Sequence, residues 1–494
     1  MNKLFITCTA LAAVVCAPLA NARTQATDSL VQNYMRSSLY TIIFNSDTMN
    51  KYYEEETKKG ENADALMSVA KSFANTDKKK AANDTSTGSI FEMPAAVFPS
   101  IAIPNQFNDH YLAWRVVNFD SIKATVTDAE LAQFAPKKKK GAGMAKFGKS
   151  MAGMSTQGDE NNDQYDKYAP AVINKFFASN NIAPRLIAKW YDYDGNAEKH
   201  WGLGTITERG NYNFSAEDLA KAATDMNMQT KIANTTFNMI NNTFVMAVNL
   251  RFRSYQAVVA EASAMANAVG SQFGGIGKLA AMGASAAASA AAGDGYTVQA
   301  VSNLYRLKWN DDINDTFGEK YLKTNATLDD LINAGICELE FVGTEKASSN
   351  IRQSLFSDKP ISSLVERATA RAIDEAIIKL QNNHEEFRTV LPIIGGDGEK
   401  IYAAIGTKEG LNEKDEYEIL EANEDGKGNI TYKSVGTVKA VKGKIMNNAY
   451  GAEDDLSDPN IKDEDKEAIN RTYSEFKGKK GDFTGYFLRL KKKK

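Results

Sequence analysis

The hydrophobic period of the chain changes at about residue 388, and that change separates what can fold upstream from what can fold downstream. Leu364, Ala368, Ala372, Ala376 and Leu380 recur every four residues with Ile373 and Ile377 beside them, the buried stripe of a helix running to about Phe387. Ser363 and Glu366 stand at capping-box spacing and place the mouth of that helix. Beyond it the period is two. Residues 390–394, 401–405, 416–422, 430–441 and 486–490 read as short strands, separated by Gly395-Gly396-Asp397-Gly398 and Asp425-Gly426-Lys427-Gly428-Asn429 turns. This spacing predicts a small barrel of about five strands, interrupted by an acidic insertion at 453–467.

Upstream, strand and helix signals mix. Residues 40–44 and 114–119 read as strands, and Pro94, Pro99 and Pro104 predict extended backbone over 91–104. Val172, Ile173, Phe176 and Phe177 share one helical face, while 186–191 reads as a strand. Ser215, followed by Glu217 and Asp218, suits a helix start. Phe244, Met246, Val248, Leu250 and Phe252 predict a long half-buried strand over 243–253. Val301, Tyr305, Leu307 and Trp309 predict a second over 301–309 that can pair with it. Cys337 sits in a further alternating run, where a small core residue is favoured over a reactive thiol.

Two segments depart from globular composition. Residues 256–293 are mostly Ala, Gly, Ser and Met, and Gly270, Gly274, Gly277 and Gly283 are spaced to let helices approach closely. The favoured reading is an exposed helical insertion; the sharper one is a membrane-inserting or self-associating hairpin. Glu261, Asn267, Gln272 and Lys278 interrupt the run, and residues 279–292 are too few to span a bilayer as a helix. Residues 136–166 combine Lys137, Lys138, Lys139, Lys140, Lys146 and Lys149 with Met144, Phe147, Met151 and Met154. That mixture reads first as a flexible linker, and second as a contact with an anionic surface worth about 1 kcal/mol per Lys.

Lys3, an apolar core from residue 4 to 19 and the exit Ala20-Asn21-Ala22 make residues 1–22 an expected secretory signal. Val15 precedes Cys16 and Thr7 precedes Cys8, so ordinary cleavage is expected rather than lipidation. Cleavage removes both cysteines and leaves Cys337 as the lone thiol, so no internal disulfide forms and packing must supply the stability. Lys plus Arg number 59 against 62 acids, a net charge of −3, which is too balanced for nucleic-acid binding by bulk electrostatics.

Motifs for chemistry are sparse. His110, His200 and His384 lie far apart, and His384-Glu385-Glu386-Phe387-Arg388 has Arg where a zinc-protease helix needs its second His. No metal site or cofactor is expected, and a Ser-His-Asp site has no motif behind it. Asp192, Asp194, Asn196 and Glu198 alternate like calcium ligands, but Gly195 is out of place for that and Asp194-Gly195 reads better as a hairpin turn. Asp454, Asp455, Asp458, Asp463 and Asp465 read as a solvated loop before a calcium site. Trp190, Tyr191, Tyr193 and Trp201 suggest carbohydrate stacking, although core packing is the favoured reading. Asp47-Thr48-Met49 and Asp120-Ser121-Ile122 resemble acceptor triplets for periplasmic O-glycosylation.

Arg36-Ser-Ser-Leu-Tyr-Thr-Ile42, Ala188-Lys-Trp-Tyr191, Glu208-Arg-Gly-Asn-Tyr212, Asn242-Thr-Phe-Val245 and Leu304-Tyr-Arg-Leu-Lys-Trp-Asn310 resemble blocks of an uncharacterised family of secreted envelope proteins of Gram-negative bacteria. The resemblance supplies no catalytic residue. Ile401-Tyr-Ala-Ala-Ile-Gly406 and Glu409-Gly-Leu-Asn-Glu-Lys-Asp-Glu-Tyr417 are similar to the C-terminal barrel of flagellar assembly protein T, departing from it at Glu413-Lys414 and in the acidic insertion. The resemblance implies an SH3-like barrel without implying a flagellar role.

The expected chain is α+β and multidomain: signal 1–22, N-terminal domain 23–135, basic linker 136–166, middle domain 167–361 with its Ala/Gly-rich insertion, connecting helix 362–388 and barrel 389–494. The expected function is that of an exported, non-enzymatic binding or assembly scaffold at a periplasmic or outer-membrane surface. Its expected partners are an envelope protein, a membrane surface or further copies of itself. The alternatives are an oligomeric pore or secretion component built on 256–293, and a carbohydrate-binding or carbohydrate-active protein.

Overall fold

The computed structural model describes residues 36–59, 91–104, 107–134, 164–210, 224–225, 237–254, 296–351, 361–388, 390–396, 398–424, 430–457, 461–483 and 485–491. Strands β1 (Ser37–Asn45), β2 (Phe107–Asp109), β3 (Val116–Asn118), β4 (Thr243–Ser254), β5 (Tyr296–Lys308) and β6 (Glu338–Ile351) form one mixed sheet. Its order is β2-β1-β4-β5-β6, with β3 also paired to β1. The strands β2, β3 and β4 run parallel to β1, whereas β4, β5 and β6 are antiparallel. The two long alternating runs do pair, in register from Phe244↔Arg306 to Ser254↔Tyr296.

The principal helices are α1 (Asp47–Lys59), α2 (Met93–Val97), α3 (Gln164–Ser179), α4 (Ile182–Trp190), α5 (Asp311–Lys320), α6 (Leu328–Ala334), α7 (Ile361–Asn383) and α8 (Asp463–Asn470). Successive strand residues face opposite sides of the sheet. One side carries Phe44 and Tyr305, which meet Phe176 and Phe177 of α3 edge-on. The other carries Phe244 and Phe252, packed against Phe387 and Phe91, and α7 lies across β5 and β6 on it. Residues 37–118 and 243–351 therefore contribute strands to one sheet, and one buried cluster reaches from Leu39 to Phe387. The expected boundary between 23–135 and 167–361 does not divide two cores.

Covering both faces changes the reading of β4. Its expected solvent face is buried, because Thr243, Asn249 and Arg251 sit under the α1 and α3–α4 layer with their polar atoms satisfied. The apolar run 186–191 is helix up to Trp190. Ile182, Ala183, Leu186, Ile187 and Trp190 are buried at helical spacing, and the preceding turn, with Pro184 tolerated in it, carries the period that the run alone hides. The prolines of 91–104 open structure rather than extend it: Pro94 and Pro99 stand in the first positions of α2 and of the 3-10 turn Phe98–Ser100. The strand at 114–119 shrinks to Val116–Asn118, and Asn118 caps the helix Phe119–Lys123. Helix α3 begins at Gln164, so the last residues of the expected linker are helical.

Downstream, β7 (Leu391–Gly396), β8 (Lys400–Ala403), β9 (Glu416–Glu424), β10 (Ile430–Ala440), β11 (Ser474–Gly478) and β12 (Phe487–Leu490) close a barrel in the order β10-β11-β8-β7-β12-β9. All its pairings are antiparallel, and Ile401, Ala403, Ile419, Phe476 and Leu488 are among the residues of its separate core. The barrel has six strands where about five are expected. Strand β11 escaped because Phe476 alternates there with Glu475 and Lys477 and supplies the one large apolar side chain. Ser363 lies inside α7, which starts at Ile361, and Glu366 accepts a 2.6 Å bond from the Tyr450 hydroxyl instead of capping the helix. The acidic insertion folds as the 3-10 turn Ala452–Ser457 and α8.

Candidate functional site

Helix α7 mounts the barrel. Arg367 forks onto both oxygens of Asp455 at 2.6 and 2.7 Å, and Arg371 Nε donates to Tyr450 O at 3.0 Å. These bonds tie Asp455 and Tyr450 to the helix, while α8 of the acidic insertion has no buried residue. Beside them opens a cleft of about 640 Å³, walled by residues 346–349 of β6, by α7 and by the barrel segment around Thr407, Lys408 and Ala449.

The cleft gathers charge of both signs. Lys346 Nζ is held at 3.1 Å by Asp166, and its carbonyl accepts a 2.8 Å bond from Lys379 Nζ. Asp374 faces Lys408, Glu409 and Arg371, and burial pushes its carboxyl up to about 7. Glu409 accepts from Gly406 N at 2.7 Å and Asn448 Nδ2 at 2.9 Å, and burial holds its carboxyl above the usual range despite those donors. Behind Lys346 lies a buried network in which Arg251 Nη2 meets Asp166 Oδ1 at 2.6 Å and Arg251 Nε donates to Asn249 Oδ1 at 2.7 Å. Rings of Tyr53 and Tyr165 flank the guanidinium.

Among the described residues, none of those expected to bind lines this cleft. Gly270, Gly274, Gly277 and Gly283, and Lys137, Lys138, Lys139, Lys140, Lys146 and Lys149, lie outside the described residues, as do the signal and Ser215. Trp190, Tyr191 and Trp201 are buried, with Trp201 Nε1 donating to Ala326 O at 2.7 Å. They form core, as favoured, but on a helix and the loop after it. The hairpin at Asp194-Gly195 is absent: Asp192 accepts from Thr205, and Asp194 bonds Asn196 N at 2.9 Å in an irregular turn. Thr48 and Ser121 are exposed, and their two segments are joined through Asp120, which accepts from Ser46 Oγ at 2.8 Å and Thr48 N at 2.9 Å.

The histidines stay apart. His110 is fully buried; its Nε2 donates to Leu186 O at 3.0 Å, its Nδ1 accepts from Arg209 at 3.0 Å, and burial lowers it to about 3. That ring has no free nitrogen to serve as a base. His384 Nε2 lies 3.8 Å from Glu345, and His200 Nδ1 lies 3.2 Å from the Asp194 carbonyl. Cys337 is half-buried, and burial pushes its thiol up to about 12. Among the described residues no group of three His, Cys, Asp or Glu side chains is placed to hold a metal, and no helix is long and apolar enough to cross a membrane.

Sequence reasoning passed over Asp166, Arg251, Asp374 and Lys408. The available signals were Asp374 directly after Ile373 within the apolar stripe of α7, and Arg251 within an otherwise buried strand. No protein-family model matches the chain, and no curated protein is significantly similar to it.

Proposed function

We propose that this protein is exported and works as a non-enzymatic binding or assembly scaffold of a bacterial envelope. The observation that carries the reading is the contact of a closed barrel, with its own core, with the 23-residue α7 that also packs on the sheet. Such an arrangement offers a partner two separate surfaces, one on the sheet body and one on the barrel. The chemistry of residues 1–22 supplies the export signal, and the Gly410-Leu411 turn into β9 supports kinship of the barrel with SH3-like barrels of envelope-assembly proteins. The pore reading rests on 256–293, and the carbohydrate reading loses the buried faces of Trp190, Tyr191 and Trp201. Cell fractionation with and without detergent tests the proposal: a scaffold leaves the envelope fraction with salt alone, whereas a pore requires detergent.

A further inference from the structure

We propose that the cleft between β6, α7 and the barrel binds a short zwitterionic peptide, its ammonium end received by Asp374 and its carboxylate end by Lys408. The cleft's volume of about 640 Å³ lies within the range of small-ligand sites. It has a strand edge for one wall, since β6 ends the sheet order, and edge strands are surfaces on which extended peptides dock.

The charges decide the class of ligand. Arg371 is committed to Tyr450 O and lies 3.8 Å from Asp455, Lys346 is committed to Asp166, and Lys379 to Lys346 O with Glu375 at 3.9 Å. Glu409 is committed to Gly406 and Asn448. Asp374 accepts no hydrogen bond from the described residues, and the Lys408 ammonium meets no acceptor among them; only its backbone N–H is used, donating to Asn448 Oδ1 at 3.0 Å. Asp374 and Lys408 face each other in one cleft with no hydrogen bond between them, and a ligand that carries both charges supplies the donor and the acceptor that each lacks. A simple anion meets one uncommitted cation, Lys408, with Asp374 and Glu409 beside it to repel the anion, and a metal meets too few carboxylates. When the peptide's ammonium arrives, Asp374 gives up its carboxyl proton to solvent and the ammonium becomes its donor, so binding near pH 7 releases protons.

The proposal stands independently of where the protein works. Titration calorimetry of the full chain at pH 7 with trialanine, in two buffers of different ionisation heat, tests it. Saturable binding with proton release is expected, and N-acetyl-trialanine-amide is expected to bind at least about tenfold more weakly. Asp374→Asn is expected to lose about tenfold in affinity together with the proton release. Lys408→Gln, at a half-buried lining residue, is expected to lose about tenfold while keeping that release, and so gives a reading even if the Asn variant misfolds. No saturation by roughly 10 mM trialanine, equal binding of the blocked peptide, or an unchanged affinity in Lys408→Gln overturns the proposal.

Discussion

Arg251 keeps 1% of its side-chain exposure and Asp166 keeps 7%, so their 2.6 Å contact is made almost without water. A buried pair of this kind adds little over an apolar replacement, but removing one partner strands the other charge. Arg251→Ala is expected to cost about 3–5 kcal/mol in urea unfolding. Arg367→Ala, whose partner Asp455 is 42% exposed, is expected to cost at most about 1 kcal/mol. Equal losses in the two variants contradict that ranking. His110 supplies the pH counterpart. Its folded value of about 3 lies below the ordinary 6.5, so the unfolded chain binds the extra proton and stability falls as pH drops from about 6.5 toward 3. Asp374 has the opposite sign: its folded value of about 7 lies above 3.8, and its stabilising share is lost as pH rises from about 4 to 7. The two partly cancel in any global melt, so the ring of His110 is the cleaner probe. Its proton resonances are expected to hold still from pH 8 to 5, and a titration midpoint near 6.5 contradicts the buried, neutral ring.

At the scale of elements, the paired strands β4 and β5, the long helix and most of the barrel were legible because their hydrophobic period persists over many residues. The failures share one cause: a short window. Residues 186–191 are apolar throughout, and only the buried positions from Ile182 onward reveal the helical spacing. The polar face of β4 was read as wet because sequence shows the residue types but not Trp190, Phe44 and Asp166, which bond to them from distant segments. The cleft was illegible for the same reason, as its walls come from β6, α7 and the barrel. The joint between α7 and the barrel depends on Gly410, whose φ of +76° closes the turn before Leu411. A Cβ there comes within 2.7 Å of Ile378 Cγ2, so Gly410→Ala adds a clash against α7 to the left-handed strain. Its expected cost is about 2–4 kcal/mol. Gly398→Ala, at φ +85° with nothing within 4 Å, is expected to cost only about 1–2 kcal/mol. Denaturant midpoints that do not separate the two variants contradict the close barrel–helix contact.

For the molecule as a whole, the described residues form one sheet core and one barrel core, and α7 touches both bodies. Lys plus Arg and acids nearly balance, and the charges of the cleft and of the α7–barrel contact are largely paired with one another. Recognition on such a molecule is local, in the cleft or on the barrel wall, rather than a matter of net field. The central claim is that this architecture serves as an exported scaffold. Its most direct test is to fractionate cells making the full chain and determine the N-terminus of the protein in each fraction. The account predicts a chain beginning at Arg23 in the envelope fraction, released by salt without detergent. An intact N-terminus in the cytosol, or release only by detergent, contradicts it.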